Sequence, residues 1–440
     1  MRVLKRYSRL IAAGMLPLAA LAGGFAQARP TATFPVAPPP PGPPKVLLAA
    51  GFIDVEMGVA IPDAAVVIDG DRIVAAGPAA SVTIPANAVS IRLDGKWLVP
   101  GLINTHVHLG LRLPGATGAA LANETPAQHV LRMAENARLS LESGVTTVRL
   151  VGENMGADYA LKQAVNAGRV PGPRIETAGP IIVPTGGHGA REVDGPYKFV
   201  EAVREQVRDG ATWIKIAISG GIADSHGDIS GSPMMPEELQ TAVAAAHRAG
   251  VKVTAHNGSA DAADEAIAAG IDGFEHGYHL GDKQLRAMKA KGVWLVPTIV
   301  VSQPGARAFY ARNGLPDWYL ARVDSVGKDH WSMLQQAIRL GVPIALGSDQ
   351  FPYEENEGTT ATVREAELYV DAGMTPLQAL RSGTIDAARM MRLEKDVGAI
   401  APGRYADIIA LDANPLQKIS ALRTIGFVMK GGQVVKPGKP

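Results

Sequence analysis

The chain has 440 residues, 47% of them hydrophobic and 19% charged, which excludes global disorder and allows a large core beside a smaller domain. Its 43 basic and 42 acidic residues leave a formal charge of +1, and no basic run interleaves with aromatics, which argues against a nucleic-acid partner. With no cysteine, disulfides, thiolate metal sites and cysteine nucleophiles are excluded, so any metal must be held by nitrogen and oxygen.

At the start, Arg2, Lys5, Arg6 and Arg9 precede an apolar run over 10–25, interrupted by Gly14 and Pro17 and followed by Ala26-Gln27-Ala28. This reads as a secretory signal over 1–28; a membrane anchor is the alternative, but the run falls short of the ~20 residues that span a bilayer. The expected destination is the periplasm or the medium, with no membrane association after cleavage. The mature balance would be 39 basic against 42 acidic residues. A proline-rich linker over 29–45 then carries eight prolines between 30 and 44, too many for a hydrogen-bonded ladder. Over 46–100, apolar runs alternate with turn chemistry such as Asp69-Gly70-Asp71 and Gly77-Pro78, the pattern of hairpins. That texture returns over 396–440, so the two stretches are expected to form one small β-sandwich domain.

Between them, over 101–395, apolar runs alternate with helical stretches. Eight strands are expected, at 102–107, 145–151, 174–183, 213–219, 251–256, 273–276, 294–300 and 343–349, with helices such as 236–249 and 262–269 between them. The fold class is therefore α/β, a (β/α)8 TIM-type barrel whose chemistry belongs at the C-terminal ends of its strands.

Polar residues recur at those ends. Strand alternation puts His106 and His108 on one face, where two imidazoles can grip one ion, although a lone His-x-His also occurs as a solvated or core pair. Lys215 sits between Ile214 and Ile216 and points inward. Its buried amine can be neutral and add carbon dioxide to give a carbamate that bridges two cations, and a Schiff-base or salt-bridged lysine are the alternatives. The fifth, sixth and eighth strands end in His256, His276 and Asp349, each one more candidate ligand. His188, in the glycine-rich loop 184–189, is placed to polarise a substrate carbonyl, or else is a structural loop histidine. Tyr278 and His279 follow the sixth strand and are candidate substrate contacts. Arg149, ending the second strand, reads as an internal ion pair with Glu153 or another carboxylate. His129, His247 and His330 fall inside helical segments, away from strand ends, and Phe309 and Tyr310 are a candidate aromatic wall. No Gly-x-Ser-x-Gly elbow and no His-Glu-x-x-His helix is present.

The stretch Val99-Pro100-Gly101-Leu102-Ile103-Asn104-Thr105-His106-Val107-His108, with Lys215, His256, His276 and Asp349 following in order, resembles the metal-binding pattern of the amidohydrolase superfamily, in its dipeptidase and imidazolonepropionase-like branch. The resemblance spans about 46–435. It implies that His106 and His108 hold one divalent metal, His256 and His276 a second, that N6-carboxylated Lys215 bridges them, and that Asp349 ligates the first. Zinc is the preferred metal. It further implies hydrolysis of N-acyl amino acids or dipeptides with release of a C-terminal amino acid, ochratoxin A to ochratoxin alpha and phenylalanine included. A metal-bridging hydroxide would attack the carbonyl while Asp349 shuttles the proton. A cyclic amidase, a lactonase or a phosphotriesterase would use the same metals, and a silent barrel would lack them. Relatives form homo-oligomers, an octamer among the expected forms.

Overall fold

The computed structural model describes residues 42–438, so the expected signal over 1–28 and the linker up to residue 41 lie outside the described residues. From residue 45 the chain runs as β1 (Lys45–Asp54), β2 (Val59–Asp69), β3 (Arg72–Pro78) and β4 (Val89–Pro100). Asp54 accepts the backbone N–H groups of Glu56 and Met57, which turns β1 into β2. Gly70, at φ +58°, makes the two-residue turn into β3 possible.

Eleven further strands follow before the C-terminal stretch, the first ten being β5 (Leu102–Val107), β6 (Val145–Leu150), β7 (Arg174–Thr177), β8 (Ile182–Val183), β9 (Arg191–Glu192), β10 (Trp213–Ala217), β11 (Lys252–Asn257), β12 (Gly273–His276), β13 (Trp294–Val296) and β14 (Glu355–Asn356). β15 (Thr359–Thr360) completes a short hairpin with β14, and β16 (Ile408–Leu411), β17 (Phe427–Lys430) and β18 (Gln433–Lys436) end the series. Parallel pairing joins β5–β6–β7 in one sheet and β13–β12–β11–β10–β8–β9 in another. The intervening helices begin and end where local chemistry dictates. Pro126–Glu142 opens on a reciprocal pair in which Thr125 caps Gln128 and the Gln128 amide caps Thr125, while Pro236–Arg248 carries Pro at its first position and His247 and Arg248 in its last turn.

Three expected strands are shorter or less regular than the apolar runs imply. The run 174–183 breaks into β7 and β8, which belong to different sheets, at the left-handed Gly179 and the following Pro180. The run 294–300 stops at Val296, because Pro297 cannot donate and Thr298 is left-handed at φ +49°. The run 343–349 forms no regular strand, yet it is bonded on both sides. Leu295 N–H reaches Pro343 O and Ala345 N–H reaches Leu295 O, while Thr105 N–H reaches Leu346 O and Asp349 N–H reaches His106 O, all at 2.8–3.0 Å. The main apolar cluster lies between these strands and their helices, and Ile214, Ile216, Val253, Ala255, Phe274 and Leu295 point into it. Alternation therefore leaves Lys215, His256 and Glu275 on the opposite face.

The terminal strands depart from a sandwich of two sheets. They are hydrogen-bonded into one seven-stranded sheet, in the order β18–β17–β16–β4–β1–β2–β3. One face of it gathers Leu47, Val66, Ile68, Leu98, Ile408 and Met429 into a single cluster, so the sheet curls around its own core. Its β3 edge is bonded to the segment that leads into β16, where Ile73 N–H donates to Arg404 O and Ala406 N–H to Asp71 O. Arg174 clamps this sheet to the central strands through a buried two-point contact with Asp407, at 2.8 and 3.1 Å.

Candidate metal centre and cavity

His106, His108 and Asp349 converge. Their ligand atoms all lie within 4.8 Å of one another, with His106 Nε2 and His108 Nε2 at 3.1 and 3.2 Å from Asp349 Oδ1. Local sequence builds this in two ways. The Asn104 side chain donates to Ser348 Oγ and Thr362 Oγ1 and accepts from Ser348 N–H, which bolts β5 to the segment carrying Asp349. Gly347 has no Cβ because one placed there would lie 2.6 Å from the Cβ of His106. Asp349 and His276 themselves adopt left-handed backbone, at φ +51° and +66°, a conformation that costs of order 1–3 kcal/mol and turns each side chain at its strand end.

His106 Nδ1 lies 2.8 Å from Glu275 Oε2 and His108 Nδ1 lies 3.3 Å from the Gly152 carbonyl. Those acceptors assign each ring proton to Nδ1 and leave both Nε2 lone pairs facing each other at 3.2 Å, beside the Asp349 carboxylate. Such a donor set is stable only with a proton or a cation among its members, and its nitrogen and oxygen chemistry fits a divalent metal. Burial works against the charged form of Asp349, yet His106 and His108 together hold its carboxyl well below the usual range.

Lys215, His256 and His276 line the same cavity, which has a volume of about 300 Å³. Burial pushes the Lys215 ammonium down to about 8, only partly opposed by Glu275 and Asp349, so a reactive neutral amine is within reach near neutral pH. Burial also drives His256 and His276 well below the ordinary histidine range, keeping them neutral. Their rings are 4.6 Å apart, and His276 is 5.0 Å from His106. His276 Nδ1 meets Thr298 Oγ1 at 2.6 Å, and His256 Nε2 donates to the Gly220 carbonyl.

His188 also lines the cavity, with its ring 4.1 Å from that of His256 and its Nδ1 2.9 Å from both oxygens of Asp224. The approach requires Gly221, where a Cβ would lie 2.5 Å from the imidazole. Tyr278 lies stacked on His276, with centroids 5.1 Å apart. His279 is different. It pairs with Asp329 at 3.2 Å and is not among the residues lining the cavity, because the backbone after the left-handed His276-Gly277 pair sends Tyr278 inward and His279 outward. Tyr310 lines the cavity together with Tyr319, whereas Phe309 packs behind Tyr310 instead.

Arg149 is indeed internal, but its carboxylate is Glu275, at 2.6 Å, not Glu153. Glu275 is the residue that sequence reasoning overlooks: fully buried, it joins His106, Arg149 and Thr254 Oγ1. The signal was its position beside His276, on a strand whose neighbours place alternate residues inward. His129, His247 and His330 have local partners in Glu124, Asp272 and Ser302.

Against known proteins, the model of the "Amidohydrolase family" matches residues 97–436. The chain is 31% identical to the ochratoxinase of Aspergillus niger over 379 residues, covering 78% of this chain and 76% of that one. The crystal structure of that ochratoxinase superposes with a TM-score of 0.78 at 27% identity, over 90% of this chain and 96% of that chain. A Xaa-Pro dipeptidase with methionine bound in its active site gives a TM-score of 0.80 at 29% identity, over 89% and 99%. A prolidase complexed with N-methylphosphonate-L-proline gives 0.80 at 31%, over 90% and 100%.

Proposed function

This chain belongs to the amidohydrolase family and is a hydrolase of amide bonds, and from that premise we propose that it cleaves N-acyl amino acids or dipeptides to release the C-terminal amino acid, ochratoxin A among its substrates. The observation that carries this reading is the convergence of the His106 and His108 Nε2 atoms on the Asp349 carboxylate, in one cavity with Lys215, His256 and His276. His106, His108 and Asp349 would hold one divalent cation and His256 and His276 a second, with Lys215 as its carbamate between them, zinc being favoured by the imidazole and carboxylate donors. When bound, such cations supply polarisation of the scissile carbonyl and a more acidic water.

The protein's own groups do the rest. In amide hydrolysis water adds to the carbonyl carbon, the carbon–nitrogen bond breaks, and the departing amine needs a proton. Asp349 takes that proton from the water and returns it to the amine nitrogen, which is otherwise too basic to leave. Glu275 fixes the His106 ring from behind, and Thr298 does the same for His276. His188, with Nδ1 committed to Asp224, donates to the carbonyl oxygen from Nε2 when both ring nitrogens carry protons. Tyr278, Tyr310 and Tyr319 supply an aromatic wall suited to an aromatic acyl group or side chain.

The reading extends to a closed (β/α)8 barrel, supported by the bonds of segment 343–349 to both β13 and β5. It also includes export of a homo-oligomer, supported by the basic-then-apolar pattern of residues 1–28 and by the family resemblance. The deciding experiment incubates zinc-loaded protein with ochratoxin A, N-acyl amino acids and dipeptides and identifies products by mass spectrometry. Free phenylalanine from ochratoxin A is the expected result. Ring-opened lactone or cyclic amide with no amino acid released would move the activity to the cyclic-substrate alternative.

A further inference from the structure

The cavity needs a way to hold an anionic substrate end, and the groups described so far do not provide it. Of its other lining groups, Glu153 and Asp349 offer carboxylates rather than cations, Lys215, His256 and His276 are assigned to the metal centre, and the buried Arg149, which does not line the cavity, is committed to Glu275. Arg112 is the guanidinium among the residues lining the cavity. It lies in the loop after β5, between Leu111 and Leu113, which line the cavity with it, and its one bond is from Nη1 to the Leu121 carbonyl at 3.0 Å. Among the described residues it has no carboxylate partner within ion-pair distance.

The loop that carries it is fixed from below. Both oxygens of buried Glu153 accept the Gly110 N–H at 3.1 Å, Asn136 donates to the Leu109 carbonyl at 2.7 Å, and Arg132 donates to the carbonyls of Gly110 and Leu111. These bonds hold the backbone just before Arg112, so less of the binding free energy is lost in ordering the loop on association.

We propose that Arg112 is the specificity-determining residue for a free carboxylate on the substrate, pairing with it at the cavity mouth while the adjoining leucines and the tyrosine wall take an apolar or aromatic body. The inference rests on the amide-hydrolase reading for what happens to the substrate, but not for its binding. A guanidinium matches a carboxylate through two parallel N–H bonds, which a lysine ammonium cannot reproduce.

The test compares wild type, Arg112→Met and Arg112→Lys, using hippuryl-phenylalanine and its C-terminal amide as substrates and calorimetric binding of hippurate as a readout independent of turnover. The expected result is a KM for the acid about 10- to 100-fold higher in Arg112→Met, with kcat changed little, an intermediate value for Arg112→Lys, and loss of the preference for acid over amide. Hippurate binding should weaken by a similar factor. Unchanged hippurate affinity in Arg112→Met, or an acid-to-amide ratio equal to that of wild type, overturns the proposal. Protein that hydrolyses neither compound yet loses hippurate affinity on Arg112→Met would sink the hydrolase reading and leave this one standing.

Discussion

Glu275 lies at 0% exposure between three partners, so its removal can be worked through bond by bond. Glu275→Ala leaves Arg149, which is equally buried and already has Nη1 without a partner, as an uncompensated charge, at a cost of about 3–5 kcal/mol. The orphaned His106 Nδ1–H and Thr254 hydroxyl add about 1–3 kcal/mol. A total of that size approaches the whole stability of a typical domain, about 5–15 kcal/mol, so Glu275→Ala is expected in the insoluble fraction. Glu275→Gln is the informative variant. Its amide oxygen still serves one donor while its NH2 opposes another, which costs about 1.5–3 kcal/mol for a bond to a charged group. Loosening His106 should weaken metal affinity about 10- to 100-fold. The assays are urea unfolding followed by circular dichroism and zinc competition against a chelator. Burial works against the charged form of Glu275, but Arg149, Lys215 and His106 outweigh it and hold the carboxyl below its usual range. Its stabilisation is therefore fully present above the unfolded value of about 4.3 and fades only as acid titrates the folded carboxylate. The gap between wild type and Glu275→Gln should stay level from pH 6 to 9 and narrow below about pH 4. A Glu275→Gln protein with wild-type midpoint and zinc affinity would refute the reasoning.

Lys215→Ala should lose bound zinc by elemental analysis and with it turnover, and short carboxylic acids such as propionate should restore part of both; full activity in this variant would rule out a bridging carbamate. Asp349→Asn should keep some metal but lose turnover by about 10²- to 10⁴-fold in steady-state assays, since the amine then has no proton donor. Burial raises the Glu354 carboxyl to about 7, so its folded value lies above the unfolded one. Wild type should thus lose stability as pH climbs from about 4.5 to 7. Glu354→Gln should be the more stable protein above pH 7, by about 1–3 kcal/mol in urea unfolding, and no different below pH 4.

The strands that position the centre were legible because their outward residues are β-branched or apolar in strict alternation, as with Ile214 and Ile216 around Lys215. The candidate ligands were legible for the same reason: a lysine or histidine on the inward face of such a strand has few bland explanations. What the sequence hid is set by partners distant in the chain. Glu275 meets Arg149 from 126 positions away and Asn104 meets Ser348 from 244, and no local pattern announces either bond. Strand ends were hidden too, since Thr298, Asp349 and His276 take left-handed backbone that β-branched or bulky side chains ordinarily avoid. His279 illustrates the opposite error, a residue made to look functional by standing three places after a ligand when the intervening glycine reverses its direction.

Trp97 on β4 finds its ladder neighbour in Leu411 on β16, a residue that the ribosome adds 314 codons later. At about 5–20 residues per second, β4 waits roughly 15–60 s after its own synthesis for the segment that covers its free edge. During that interval β1–β4 can pair only among themselves, leaving Leu98 and its apolar neighbours uncovered by β16 and β17. The nascent chain thus stays open to edge-to-edge aggregation from the synthesis of β4 until β16 and β17 emerge, and those two strands act as the latch that ends the exposure.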